Sequence, residues 1–451
     1  MKSLGSLLCI ALFSSWTAAE LQATANAEPT EDLEPLVVGR DFHASDPQLA
    51  ELATVLLEEN PEIRSARSRW QAKLEQVPQA SSLPDPRITY RYFAETPETR
   101  VGPQEHGLEL SQSVPWFGKR SLKAERAQHL VAGVGWNVMD LERALVAALK
   151  RTYFEVAYLR EALAVNGEEA ALLRRFESIA LVRYSTGEGF QQSVLKVQTD
   201  ISRLADQATS LRQRLEASNR RIARLVGRED THVSPRRIPL DLMELHYDRE
   251  QLVGEALRDH PSIRALGERI NADGSRLQRS RIDSRPDFRF GLGYIAVGDR
   301  EDTAGRLMPP EDNGQDIVAL TVSVDLPIYR RKIRAGIAEA EHSLQSSEHL
   351  LQQASDRLRF EIREALLRLE SLEERARLYK AVIIPQAGEA LASAEAAYTT
   401  NRQDFLDLLD AERVLFQVRL TYYRLLADYW IALADVELAL GRSFPDGGNQ
   451  P

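Results

Sequence analysis

The most regular pattern in the chain is a seam of apolar residues that recur at alternating steps of three and four. In the last part of the sequence the seam consists of Leu408, Ala411, Leu415, Val418, Tyr422, Leu425, Tyr429, Ala432, Val436 and Ala439. The positions 214 residues earlier (408 − 194 = 214) repeat it with one polar exception, as Val194, Val197, Ile201, Leu204, Ala208, Leu211, Leu215, Ser218, Ile222 and Leu225. An average spacing of 3.5 residues is typical of helices that pack as coiled coils.

Further long helices are predicted next to these seams. No proline occurs between Trp116 and Ser234. A continuous helix from Lys119 to Tyr184 would be about 100 Å long at a rise of 1.5 Å per residue. In the second half, Pro385 should end or kink a helix. The candidate interruptions of the first long helix are Gly133, Gly135 and Gly167.

The N-terminus has the pattern of a secretory signal peptide. Lys2 precedes a short apolar run at 7–13, and small residues follow at 17–19 and again at 25–27. We predict a signal peptide over residues 1–19, with residue 27 as the latest cleavage site. Because Cys9 is the only cysteine, the mature chain is predicted to have no disulfide and no thiolate metal site.

Four segments alternate between apolar and polar residues with a period of two. They predict strands near residues 86–95, 105–114, 286–297 and 316–326. Alternation over about ten residues, with aromatic side chains on the apolar face, is typical of membrane β-barrel strands. The alternative is an ordinary hairpin half buried against a core. The long adjoining helices and the export signal favour the barrel.

Four strands are too few to close a membrane barrel. A barrel of about eight strands is already filled by its own side chains, and open sheet edges are not tolerated in hydrocarbon. Other copies of the chain must therefore complete the barrel. Strand number alone leaves open whether two, three or more copies take part.

The chain consists of two copies of one long unit. The stretch 60–64 (NPEIR) returns as 260–264 (HPSIR), and Arg183-Tyr184-Ser185-Thr186 returns as Ala397-Tyr398-Thr399-Thr400. A proline-bearing linker at 234–239 separates the copies. We predict a first repeat over 20–235, a second over 236–445 and a tail at 446–451.

No catalytic constellation is present, and we predict neither an enzyme nor a bound cofactor or metal. The motif Gly291-x-Gly293-x-x-Ala296 resembles a dinucleotide fingerprint, but a charged loop follows it instead of a helix. His342 and His349 are interpreted as surface side chains. The formal net charge of −10 offers no basic footprint for nucleic acid.

In this order and in duplicate, these motifs resemble the TolC family of outer-membrane efflux channels. The resemblance rests on 83–86 (LPDP) and 112–119 (QSVPWFGK), and on the two short segments at 183–187 and 397–401. It implies a mainly α-helical chain whose coiled-coil helices form a periplasmic tunnel. Its four strands would contribute to a trimeric, twelve-stranded outer-membrane barrel embedded in lipid. The implied partners are a periplasmic adaptor and an inner-membrane efflux transporter, and the first hairpin favours relatives that serve metal-ion pumps.

The resemblance also assigns roles to residues at the two helix–turn–helix tips. Four residues are expected at the gate that closes the tunnel: Tyr398, Gln403, Asp407 and Asp410. Five are expected where the adaptor docks: Arg183, Tyr184, Gly187, Asn401 and Asp404. Asp404, Asp407 and Asp410 are either solvated helix carboxylates or, repeated around a symmetry axis, a ring that attracts cations.

The function predicted from these residues is a passive outer-membrane exit duct. Its energy must come from the partner transporter. The alternative is an exported coiled-coil adaptor or scaffold protein whose strands fold into a soluble β-domain.

Overall fold

A computed structural model describes residues 46–228, 242–243, 245–400 and 402–444 of the chain. The predicted signal peptide, the linker at 234–239, Asn401 and the tail at 446–451 lie outside the described residues.

Most of the described residues are helical, as predicted. The helices are α1 (Pro47–Glu59), α2 (Pro61–Leu74), α3 (Gln76–Ser81), α4 (Lys119–Ser185), α5 (Gln191–Val226), α6 (Arg249–Asp259), α7 (Pro261–Ile282), α8 (Thr303–Leu307), α9 (Arg330–Leu378), α10 (Ile384–Thr399) and α11 (Phe405–Leu440). The strands are β1 (Arg87–Tyr92), β2 (Glu98–Thr99), β3 (Gly102–Val114), β4 (Asp287–Val297) and β5 (Ile317–Asp325). No described helix is both long enough and apolar enough to be a membrane-spanning segment.

Helix α4 runs without a break for 67 residues. The three glycines that were candidate interruptions therefore lie inside it. By contrast, the helix before Pro385 changes type: residues Tyr379–Ile383 are π-helical and α10 then begins at Ile384. Proline lacks the N–H that would bond the carbonyl four residues back, so a local widening of the helix accommodates it.

The four long strands form one antiparallel sheet in the order β1-β3-β4-β5, and the short β2 pairs with β3. Their register places apolar residues in rows across the sheet, for example Ile88, Leu110, Leu292 and Leu320. The prediction of four long alternating strands is confirmed. The two-residue strand β2 was not predicted.

One face of this sheet is apolar and open to the surroundings. Eleven of its side chains are between 43% and 80% exposed: Ile88, Tyr90, Tyr92, Leu108, Leu110, Leu292, Tyr294, Val318, Leu320, Val322 and Val324. Aromatic residues lie at both ends of the face. Tyr92 contacts His106 at the loop end, and at the helix end the rings of Trp116 and Phe288 stack with centroids 5.8 Å apart. An apolar band between two aromatic rows is the pattern of a lipid-facing barrel wall.

The sheet is tied to the helices at the start of α4. Lys119 Nζ donates to Asp287 Oδ1 at 2.9 Å and to the Arg285 carbonyl at 2.8 Å. The backbone N–H of Trp116 donates to the same Asp287 oxygen at 2.7 Å. One carboxylate at the start of β4 therefore fixes the point where β3 leads into the long helix.

Two helix junctions, one in each predicted repeat, are arranged alike. Asn60 caps α2 by accepting from the Glu62 N–H at 2.8 Å, and its side-chain amide donates to the Leu225 carbonyl at 2.7 Å. In the second copy His260 takes this place: its Nδ1 accepts from the Ser262 N–H at 3.2 Å, and its Nε2 lies 3.3 Å from the Leu438 carbonyl. These bonds require neutral His260 with its proton on Nε2. Burial also lowers the pKa of this imidazole, which favours the neutral form.

The helix that packs on each junction ends in a glycine with positive φ. Gly441, which ends α11, has φ +69°, and a Cβ placed there would lie 2.8 Å from His260 Cδ2 and 3.0 Å from Pro261 Cδ. Gly254 in the middle of α6 differs, because a Cβ there would meet nothing within 4 Å.

These two glycines give a matched pair of substitutions. Gly441→Ala should lower the thermal unfolding temperature of the detergent-solubilised protein, because it adds left-handed strain of about 1–2 kcal/mol and a steric clash. Gly254→Ala should raise that temperature, since alanine in a helix is more favourable than glycine by about 0.8–1 kcal/mol. Circular dichroism measures both shifts. Equal unfolding temperatures for Gly441→Ala and the wild type would mean that the junction does not constrain the fold.

Candidate functional site

The two tips of the helical body lie side by side. The first tip is the turn between α4 and α5, and the second is the turn between α10 and α11. A cavity between them is lined by residues of both turns, among them Arg183, Phe190, Arg402 and Gln403.

Arg183 and Tyr398 connect the tips directly. The Arg183 guanidinium donates to the Tyr398 carbonyl at 3.0 Å and lies over the Tyr398 ring, 4.1 Å from its centroid. That ring contacts Phe405 with centroids 5.4 Å apart. Tyr398 is only 6% exposed in the single chain. A residue predicted for docking and one predicted for the gate thus form one contact that joins the two hairpins.

The first tip is exposed and partly apolar. Gly187 has φ +81°, and a Cβ at this position would meet nothing within 4 Å. Tyr184 beside it is 48% exposed, and Phe190, which precedes α5, is 75% exposed. Phe190 was not among the predicted site residues, although an isolated aromatic residue in a turn between two helices was a usable signal.

The second tip carries the acidic residues. Asp404 caps α11, its carboxylate accepting from the Phe405 N–H at 2.6 Å. Gln403, Asp407 and Asp410 are all exposed in the single chain. Asp410 forms an ion pair with Arg413 one turn later. The three-residue spacing between Asp410 and Arg413 was readable in the sequence, but an ion pair between them was not predicted.

Two further carboxyl groups near the tips were also missed. Glu169 on α4 and Glu412 on α11 are 8% and 2% exposed, and Oε1 of Glu412 has no hydrogen-bond partner. Glu412 lies beside the apolar seam, four residues after Leu408, but periodicity alone does not show that it is buried.

Among the described residues, no group of three or more histidine, cysteine, aspartate or glutamate side chains is arranged to hold a metal ion. His342 and His349 are both exposed on α9.

The face of the sheet opposite the apolar one is polar. It carries Arg87, Arg91, Glu109 and Arg289, in register with small residues such as Ser111 and Gly293. A sheet with one apolar and one polar face suits a wall between lipid and an aqueous lumen.

Comparison with known proteins agrees with this architecture. Residues 252–442 match the family described as outer membrane efflux protein. The chain is 21% identical over 372 residues to the cobalt-zinc-cadmium resistance protein CzcC of Cupriavidus metallidurans, a match that covers 81% of this chain and 83% of CzcC.

Solved structures share the fold. The outer membrane protein VceC of Vibrio cholerae matches with a TM-score of 0.73 and 17% identity, over 89% of this chain and 98% of VceC. The MtrE outer membrane channel of Neisseria gonorrhoeae, in its open state, matches with a TM-score of 0.72 and 19% identity, over 90% of this chain and 91% of MtrE. The fold is that of channel proteins. With its long helices, its two tips and its amphipathic sheet, the chain has a TolC-like fold, and its residues 252–442 match the outer membrane efflux protein family.

Proposed function

We propose that this outer-membrane efflux channel is a passive exit duct for divalent metal cations. An inner-membrane transporter would drive export, and a periplasmic adaptor would couple the two. The observation that supports the channel most strongly is the open apolar face of the sheet. If its exposed side chains were in water, they would form a patch large enough to cause aggregation.

If three copies close the barrel, the two unpaired edges of each sheet find partner strands. Strands β1 and β5 each have one edge with no partner strand in the described chain. Pairing β5 of one copy with β1 of the next is a head-to-tail contact, which closes into a ring when the rotation fits. Three copies would give twelve strands.

The metal cargo is supported by the likeness to CzcC, a metal resistance protein by name. It is also supported by Asp407 and Asp410, which are exposed at the start of α11. Three-fold repetition would place six carboxylates around the axis. Like charges at such short range repel unless cations or protons lie among them. Arg413 offsets part of this charge through Asp410.

In this proposal Gln403 and Tyr398 complete the gate, with Tyr398 acting through its contact with Arg183. The adaptor would dock on the exposed tips, at Arg183, Tyr184, Gly187 and Asp404. Asn401 is expected to take part, although it lies outside the described residues. The rival function, a soluble adaptor or scaffold, requires the apolar face of the sheet to be covered. Eleven side chains of that face are at least 43% exposed in the described chain.

A first test of the cargo is deletion of the gene. The deletion strain should become sensitive to cobalt, zinc and cadmium salts and keep its tolerance of dyes and antibiotics, and the wild-type gene should restore growth. Growth curves across a concentration series measure this. Sensitivity to dyes and antibiotics with unchanged metal tolerance would contradict the proposed cargo.

A second test addresses the gate. Divalent cations should block current through the wild-type channel in planar bilayers, because the carboxylates bind them at the constriction. Asp407→Ala combined with Asp410→Ala should relieve the block. Glu389→Gln, which removes an exposed carboxylate on α10, is the matched control and should leave the block intact. The gate assignment is wrong if the double variant is blocked like the wild type.

A third test addresses docking. Gly187→Val should impair efflux without affecting assembly, because a β-branched residue strains the left-handed turn by at least about 1–2 kcal/mol at an exposed position. Thr186→Val is the control, since φ at Thr186 is −86°. Metal tolerance in cells and oligomer size in detergent are the two readouts. Normal efflux in the Gly187→Val strain would show that the adaptor docks elsewhere.

A further inference from the structure

Three carboxylates on three different helices lie close enough for their charges to interact. We call Glu169 of α4, Asp200 of α5 and Glu412 of α11 the carboxylate cluster. Glu169 and Glu412 are buried, and the side chain of Asp200 is 13% exposed. Because α4 and α5 form one hairpin and α11 belongs to the other, the cluster spans the interface between the two hairpins.

Glu412 lies on the buried face of its helix. The residues one turn before and one turn after it, Leu408 and Phe416, are 2% and 4% exposed. Residues at i and i ± 4 share one side of a helix, so the Glu412 side chain points into the same apolar interface. Its Oε1 finds no hydrogen-bond donor there.

Glu169 likewise lies on the buried face of its helix, α4. Its neighbours at i ± 4, Val165 and Leu173, are 1% and 2% exposed and belong to the same apolar cluster as Leu408 and Phe416. Two carboxyl groups from different hairpins therefore share one apolar interface. A buried carboxylate without a partner is costly, whereas a protonated carboxyl group is not charged and packs at much lower cost.

The charged groups around the pair do not cancel this cost. On α5, Lys196 and Arg203 already pair with Asp200, at 3.5 Å and 3.2 Å. On α11, Arg413 pairs with Asp410. Helix α10 contributes Leu391 and Ala394 to this interface, and both are apolar.

We propose that Glu169 and Glu412 form a proton-operated latch between the two helical hairpins. In the protonated state both side chains pack in the interface and hold α11 against α4. When both carboxyl groups ionise, they repel each other and require hydration. The packing of α11 against α4 is then weakened. The latch rests on the proposed function in one respect, which is that the two hairpins form the inner end of the tunnel. It does not depend on which substrate is exported.

The titration of both groups is consistent with such a latch. Burial raises the pKa of Glu169 to about 7 and that of Glu412 to about 8, and the like charges of the cluster contribute to the rise at Glu412. A carboxyl group whose pKa is higher in the folded protein binds its proton more tightly there. The stabilising contribution is therefore complete below the ordinary glutamate pKa of 4.5 and is lost as the pH rises through about 7 to 8.

Hydrogen exchange of the intact detergent-solubilised protein tests the latch directly. Amide protection over residues 405–418 is measured by mass spectrometry at pH 6 and pH 9, in the presence of a chelator and with correction for the intrinsic pH dependence of exchange. Protection in the wild type should fall by about tenfold or more, since one pKa unit corresponds to a factor of ten. Glu169→Gln combined with Glu412→Gln should keep its protection at pH 9.

The controls separate the latch from general instability. Glu389→Gln should behave as the wild type, and Glu169→Gln alone should show a reduced pH response even if the double variant folds poorly. The latch is overturned if wild-type protection is the same at both pH values, or if the double variant loses it as the wild type does. Neither result bears on metal export, which the growth assay of the deletion strain tests separately.

Discussion

The open edges of the sheet are the constraint on which the rest of the structure depends. The described residues of one chain supply four long strands, leave the outer edges of β1 and β5 unpaired and expose an apolar face. In a membrane every backbone N–H and carbonyl must be paired, so the strands are stable there only in a closed ring with other copies. The helices of the several copies must then be arranged in the same ring as the strands, because the ion pair between Lys119 and Asp287 fixes α4 to the end of the sheet.

Similar helix junctions occur in both halves of the helical body. Asn60 and His260 cap equivalent helices and bond to the ends of α5 and α11, which have the same place in their repeats. The halves are not identical. The second copy uses an imidazole that must stay neutral, and its hairpin carries the acidic residues of the tip. The two tips therefore carry different side chains on similar backbones. This is expected if the first tip mainly binds the adaptor and the second mainly closes the tunnel.

Periodicity predicted most of the fold but few of the contacts. The seams from Val194 and from Leu408, and the alternation of the four strands, were readable because each pattern repeats over many residues. The irregularity of the helix before Pro385 was predictable from one residue, since proline cannot donate a backbone hydrogen bond. The contact between Arg183 and Tyr398 was not, because it joins residues 215 positions apart. The burial of Glu412 was missed for a related reason: periodicity places it beside the seam, but only packing against α4 excludes water from it.

We propose that this chain is a lipid-embedded channel closed by several copies. The most direct measurement is the mass of the protein extracted by mild detergent from separated cell membranes, determined by light scattering with the detergent contribution subtracted. The account predicts that the protein is in the outer-membrane fraction and has the mass of three mature chains. A soluble monomer, released without detergent, would contradict it.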